Sequence, residues 1–167
     1  QLITFLGANE NKHNHKYKFN SKEVFAEESA EALINLYSFN KVYVLVTEQA
    51  KKINSALLDF LIETHKNIDI VDIDEGIEAL TIKVSLLLTE DTFIDITSAY
   101  RSITYSTLIS SILSKFNHNN YVKNIVYARQ IEGATSPNKA PSELEYISIE
   151  NYLDIIYASA LLSMFLD

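Results

Sequence analysis

A chain of 167 residues suits one compact domain, and with no cysteine it can build neither a disulfide framework nor a thiolate metal site. A formal net charge of −8 argues against gripping duplex DNA or RNA, which takes phosphate-neutralising Lys and Arg. A small anion remains open, because backbone N–H groups and one or two cations can hold it. Ten Tyr and eight Phe against three Gly point to an ordered core.

Short β-branched runs alternate with longer helical patterns along the chain. Leu2–Leu6 reads as a buried strand, followed by the polar stretch Gly7–Lys16. Ser21–Phe39 reads as a helix, with Ser21 as N-cap and Phe25, Leu33, Leu36 and Tyr37 on one stripe. Lys41–Thr47 is the clearest strand, and a helix runs from there to about Lys66. Ile68–Ile73 is a third strand, with Gly76 at the turn after it, and Ile77–Leu88 is helical by pattern. Thr92–Thr97 is a fourth strand, followed by a helix to Phe116, and Tyr121–Ala128 is a fifth. Gly133–Pro141 reads as a surface loop. A short strand near Tyr146–Ile149 and an amphipathic helix over Asn151–Leu166 close the chain.

Strands alternating with helices imply parallel pairing with right-handed crossovers. The expected fold is therefore α/β: one domain over residues 1–167, a doubly wound, mostly parallel Rossmann-like sheet with helices on both faces. No apolar run reaches the roughly 18 residues of a membrane-spanning helix. Gln1 stands first instead of Met, so an upstream segment is expected, with a membrane anchor as one candidate. A cytoplasmic location is expected, tethered to the inner membrane if that segment spans it.

In doubly wound sheets ligands bind beyond the carboxyl ends of the strands, where the strand order reverses. The common order puts that point between the first and fourth strands, so Gly7–Lys16 and Thr97–Arg101 should meet there, beside Thr47–Glu48. The first of these loops has Gly7 alone where a dinucleotide fold would carry G-x-G-x-x-G, and no Walker A sequence occurs. His13 and His15 form an i, i+2 pair without a third ligand, which reads as a solvated loop, and no metal is expected. The segment Ile94–Ile103 brings Asp95, Thr97 and Ser98 to the sheet edge just before a helix, where free N–H groups and Arg101 can meet an anion. Pairing of Arg101 with Asp95 or Glu48 is the competing reading.

These segments resemble the CRISPR-associated Rossmann-fold (CARF) family. That family has a first strand ending in Leu-Gly, then a polar loop and a Tyr, as in Phe5-Leu6-Gly7 and Tyr17 here. A Thr-Glu-x-Ala strand end is matched by Thr47-Glu48-Gln49-Ala50, and an Asp-Gly-like turn by the stretch from Asp72 to Gly76. The most specific motif is similar to Asp-Ile-Thr-His-Gly-Phe-Arg-Ser and reads here Asp95-Ile96-Thr97-Ser98-Ala99-Tyr100-Arg101-Ser102. Ser98 and Ala99 depart from the frequent His and Gly. Ile125–Ala128 and the closing helix Tyr152–Phe165 are also similar.

The resemblance implies a homodimer that binds one cyclic oligoadenylate, cyclic tetra-adenylate favoured, across its two-fold axis. It implies no further cofactor, and a role in type III CRISPR antiviral defence in which the messenger switches on an attached effector. The implied ligand-binding residues are Gly7, Ala8, Asn9, Thr47, Glu48, Thr97, Ser98, Ala99, Tyr100, Arg101 and Ser102. A ring nuclease that linearises the messenger is the alternative, since in-line attack by a ribose 2′-hydroxyl needs no essential base. A receiver-like phosphoacceptor is disfavoured because Leu6-Gly7 replaces the acidic cluster it needs. Hydrolysis by His65 or His118 is weak, neither having an evident Ser or Asp partner.

Overall fold

The computed structural model describes residues 1–10, 12–73, 76–89, 91–99, 101–118, 122–131 and 142–149, with Asp154, Ile155 and Ala158. Within these, the side chains of Ile77, Arg101, Ser102 and Lys123 and those at 115–118 lie outside the description. So do Tyr100, the stretch Gly133–Pro141 read as a surface loop and most of the expected helix over Asn151–Leu166; Asp154, Ile155 and Ala158 are helical and exposed.

The strands are β1 (Leu2–Phe5), β2 (His15–Phe19), β3 (Lys22–Ala26), β4 (Val42–Val46), β5 (Ile68–Asp72), β6 (Thr92–Asp95), β7 (Val122–Gln130) and β8 (Glu143–Ser148). The helices are α1 (Ser29–Leu36), α2 (Glu48–Ile53), α3 (Ser55–Thr64), α4 (Ile77–Leu87) and α5 (Arg101–His118). All eight strands join one sheet in the order β3-β2-β8-β7-β6-β1-β4-β5. β5, β4, β1, β6 and β7 are mutually parallel, β8 runs antiparallel to β7, and the β2–β3 hairpin is added beyond β8, with β2 parallel to it.

Successive side chains of a strand point to opposite faces, so a buried strand feeds two cores. β1 does this: Leu2 packs with Leu33, Val44, Val46 and Leu61 under α1 and α3, while Ile3 and Phe5 pack with Leu80, Val84 and Ile103 under α4 and α5. The sheet is thus mostly parallel and Rossmann-like, with helices on both faces, as the alternation of patterns predicts.

Two expected helices are corrected. Ser21–Phe39 begins as a hairpin: Tyr17 and Phe19 are buried, while Lys16 and Lys18 alternate with them and pair with Glu23 and Glu143. The turn is Asn20-Ser21, with Asn20 at φ 54°, a left-handed conformation that Asn adopts more readily than most residues. α1 starts only at Ser29. The helix expected up to Lys66 is broken at Asn54 into α2 and α3.

Candidate functional site

β1 lies between β4 and β6, so the strand order does reverse at β1 and β6. Beyond the carboxyl ends of these two strands is a cavity of about 510 Å³. Gly7, Ala8, Asn9, Lys12 and His13 line it from the loop after β1, and Thr97, Ser98 and Ala99 from the loop after β6. The hairpin contributes His15 and Tyr17, the β3–α1 junction Glu27 and Glu28, and β8 Leu144. The two loops touch: a Cβ on Gly7 would stand 3.4 Å from the Ser98 carbonyl oxygen.

The loop after β6 is built on a buried carboxylate. Asp95 is fully buried and accepts hydrogen bonds from Thr4 Oγ1 (2.9 Å), Ser29 Oγ (2.7 Å), and Thr97 N and Oγ1 (3.0 and 2.6 Å). Burial pushes its pKa up, and these bonds oppose the shift without reversing it. The Thr97 hydroxyl also accepts from Ala128 N at 2.8 Å. Thr97 therefore lines the cavity while its hydroxyl ties β6 to β7. Tyr146 closes the network, its hydroxyl donating to the Ser29 carbonyl oxygen at 2.9 Å.

The loop after β1 is held by Asn54, at the joint between α2 and α3. Its amide donates to the Gly7 carbonyl oxygen (2.9 Å) and its Oδ1 accepts from Lys12 Nζ (2.6 Å). The charged groups of the cavity fall into two sets. Lys12 and His13 come from the loop after β1 and His15 opens β2; Glu27 and Glu28 precede α1. Burial, then the neighbouring His13, lowers the His15 pKa, which favours a neutral ring. Burial raises the Glu28 pKa, with Lys12 and Ser98 acting against it. Tyr17 stacks on Tyr146 with centroids 5.6 Å apart; burial and nearby carboxylates push both phenols well above their usual range, so both stay neutral.

Of the residues singled out in the sequence, Gly7, Ala8, Asn9, Thr97, Ser98 and Ala99 come together in this cavity. Thr47 and Glu48 do not line it. β4 lies on the side of β1 away from β6; Thr47 is buried and caps α2, accepting from Ala50 N at 3.2 Å, and exposed Glu48 pairs with Lys52. Tyr100 and the side chains of Arg101 and Ser102 lie outside the described residues. Glu28, Ser29, Asn54 and Tyr146 are additions. The alternation His15-Lys16-Tyr17-Lys18-Phe19 was the available signal for the hairpin that brings Glu28 to the site.

A larger groove of about 940 Å³ adjoins the cavity and shares Lys12 and Glu27 with it; Phe25, Ile53, Leu57 and Phe60 wall it. Among the described residues, no three His, Asp or Glu side chains are grouped to hold a metal ion. Nor is any described helix long and apolar enough to cross a membrane. No protein-family model matches the chain, and no curated protein matches it either.

Proposed function

We propose that this chain is a CARF-type sensor that binds a cyclic oligoadenylate, cyclic tetra-adenylate favoured, across a homodimer and switches on an attached effector in type III CRISPR defence. One observation carries the reading. Gly7 after β1 and Thr97 after β6, which match the family's motifs, line a single cavity at the reversal of the sheet, together with Ser98 and Ala99, where the chain departs from the frequent His and Gly. That is where a doubly wound fold accepts ligands. The cavity has cationic and donor groups for phosphate in Lys12, His13 and His15, and acceptor groups for base N–H in Glu27 and Glu28.

Titration calorimetry tests the proposal. Cyclic tetra-adenylate, or as second choice the cyclic hexamer, should bind far more tightly than linear oligoadenylate or NAD. Absence of heat and of any thermal shift with both cyclic ligands overturns it. Linear product accumulating during incubation makes the chain a ring nuclease.

A further inference from the structure

The strongest unexplained feature of the cavity is Glu28. It is 8% exposed and occupies the N-cap position of α1, yet its side chain makes no capping bond to the helix. Among the described residues its carboxylate accepts one hydrogen bond, a long one of 3.4 Å from Ser98 Oγ. The nearest ammonium in the cavity wall, that of Lys12, is bonded to Asn54 instead. A carboxylate offers about four acceptor positions, and a buried polar group left unpaired is costly. Asp95, the other buried carboxylate of this region, is the contrast, with four hydrogen bonds from three residues. Among the described residues, Glu28 is thus a buried acceptor facing a ligand-sized space with most of its hydrogen-bonding capacity unused.

We infer that Glu28 is the specificity-determining residue of the cavity and accepts the exocyclic amino N–H of an adenine base. The inference rests on the cyclic oligoadenylate reading and says which part of that ligand lies where. A phosphate is repelled by an ionised carboxylate, so the phosphates belong on the side of Lys12, His13 and His15. An ionised carboxylate has acceptors only, so the carbonyl that hypoxanthine carries in place of the amino group sets one acceptor against another and binds more weakly. The discrimination belongs to the ionised carboxylate, because a protonated Glu28 has an O–H that can donate to a purine carbonyl, as the amide of Glu28→Gln can.

The test compares cyclic tetra-adenylate with cyclic tetra-inosinate by calorimetry on the unmodified chain and on Glu28→Gln. The unmodified chain should prefer the adenine ring by about tenfold or more, the worth of one charge-assisted hydrogen bond. Glu28→Gln, whose amide can turn either its oxygen or its NH₂ to the base, should shrink that preference to about threefold or less. Cyclic tetra-adenylate carrying N6,N6-dimethyladenine has no amino donor and should bind the unmodified chain as weakly as the inosine ring, with no variant involved. Undiminished preference in Glu28→Gln, or tight binding of the dimethylated ring, overturns the role of Glu28 and leaves the sensor reading standing. If the unmodified chain binds no cyclic ring at all, the sensor reading falls and the role of Glu28 falls with it.

Discussion

Asp95 shows how one residue can be conspicuous in a sequence for a reason other than ligand contact. Its carboxylate is fully buried and held by Thr4, Ser29 and Thr97, so it shapes the loop that carries Ser98 and Ala99. Burial raises its pKa above the ordinary 3.8 in spite of these bonds. The sign of the linkage follows: the folded state holds the proton more tightly than the unfolded chain. Asp95's contribution to stability is therefore greatest below about pH 4 and falls as pH rises toward the folded-state pKa. Asp95→Asn keeps the shape and removes the charge, and the three hydroxyls can rotate to suit an amide. The variant should gain stability relative to the parent as pH rises from about 4, by up to about 1.4 kcal/mol per unit of the interval between the two pKa values. Asp95→Ala strands buried donors and should cost roughly 1–3 kcal/mol at pH 4, and because it removes the same titrating group, its stability relative to the parent should rise with pH in parallel with that of Asp95→Asn. Urea melts of the three proteins at pH 4, 5.5 and 7 check this. An Asparagine variant that loses as much as the alanine variant at pH 7 would show that the charge itself holds the loop.

At the scale of elements, the joint between α2 and α3 sets the position of the loop after β1. Asn54 is completely buried there and bonds Gly7, Ala50 and Lys12 at once. Asn54→Ala leaves the Gly7 carbonyl and the Lys12 ammonium without this partner, a loss of roughly 1–3 kcal/mol. For a chain of this size each kcal/mol shifts Tm by about 2–4 °C. Amide exchange over residues 7–12 should speed up at the same time, and an unchanged Tm with unchanged exchange would remove Asn54 from the site's support. This joint was not legible in the sequence, because apolar periodicity runs through Ala50, Leu57, Leu58 and Leu61 without a Gly or Pro to mark a break. The hairpin was missed for a different reason. Phe25, Leu33, Leu36 and Tyr37 do make a helical stripe, but only Leu33 and Leu36 lie on α1, and the shorter period-two signal around Tyr17 and Phe19 was outweighed. What was legible was the part ruled by a single dominant force. Val42–Val46 and Thr92–Asp95 are short, largely buried strands of the sheet interior, Ile68–Asp72 pairs beside Val42–Val46 at the sheet edge, and together they put the Thr97–Ala99 loop where topology required.

For the whole molecule the decisive quantity is the size of the cavity. About 510 Å³ falls within the range that encloses one drug-sized molecule, and a ring of four nucleotides is about twice as large or more. One protomer therefore encloses only part of such a ring. A cyclic tetranucleotide has two-fold symmetry, and an isologous dimer presents the same loops from both sides, so on the proposed reading two cavities facing each other would divide the ligand evenly. The net charge of −8 works against that dimer by long-range repulsion, and the four ligand phosphates add to the repulsion unless Lys12 and its neighbours offset them locally. Self-association should accordingly be weaker at low ionic strength and strengthen when salt screens the acidic surfaces, the reverse of a protein that grips polyanions with a basic face. Multi-angle light scattering at micromolar chain concentration, at about 20 and 300 mM salt with and without cyclic tetra-adenylate, reads this directly. The expected result is a dimer in the presence of ligand at either salt, a salt-dependent mixture in its absence, and calorimetric saturation at one ring per two chains. A monomer under all four conditions that saturates at one ring per chain would mean that the 510 Å³ cavity is not half of a shared site, and the two-fold arrangement would have to be abandoned.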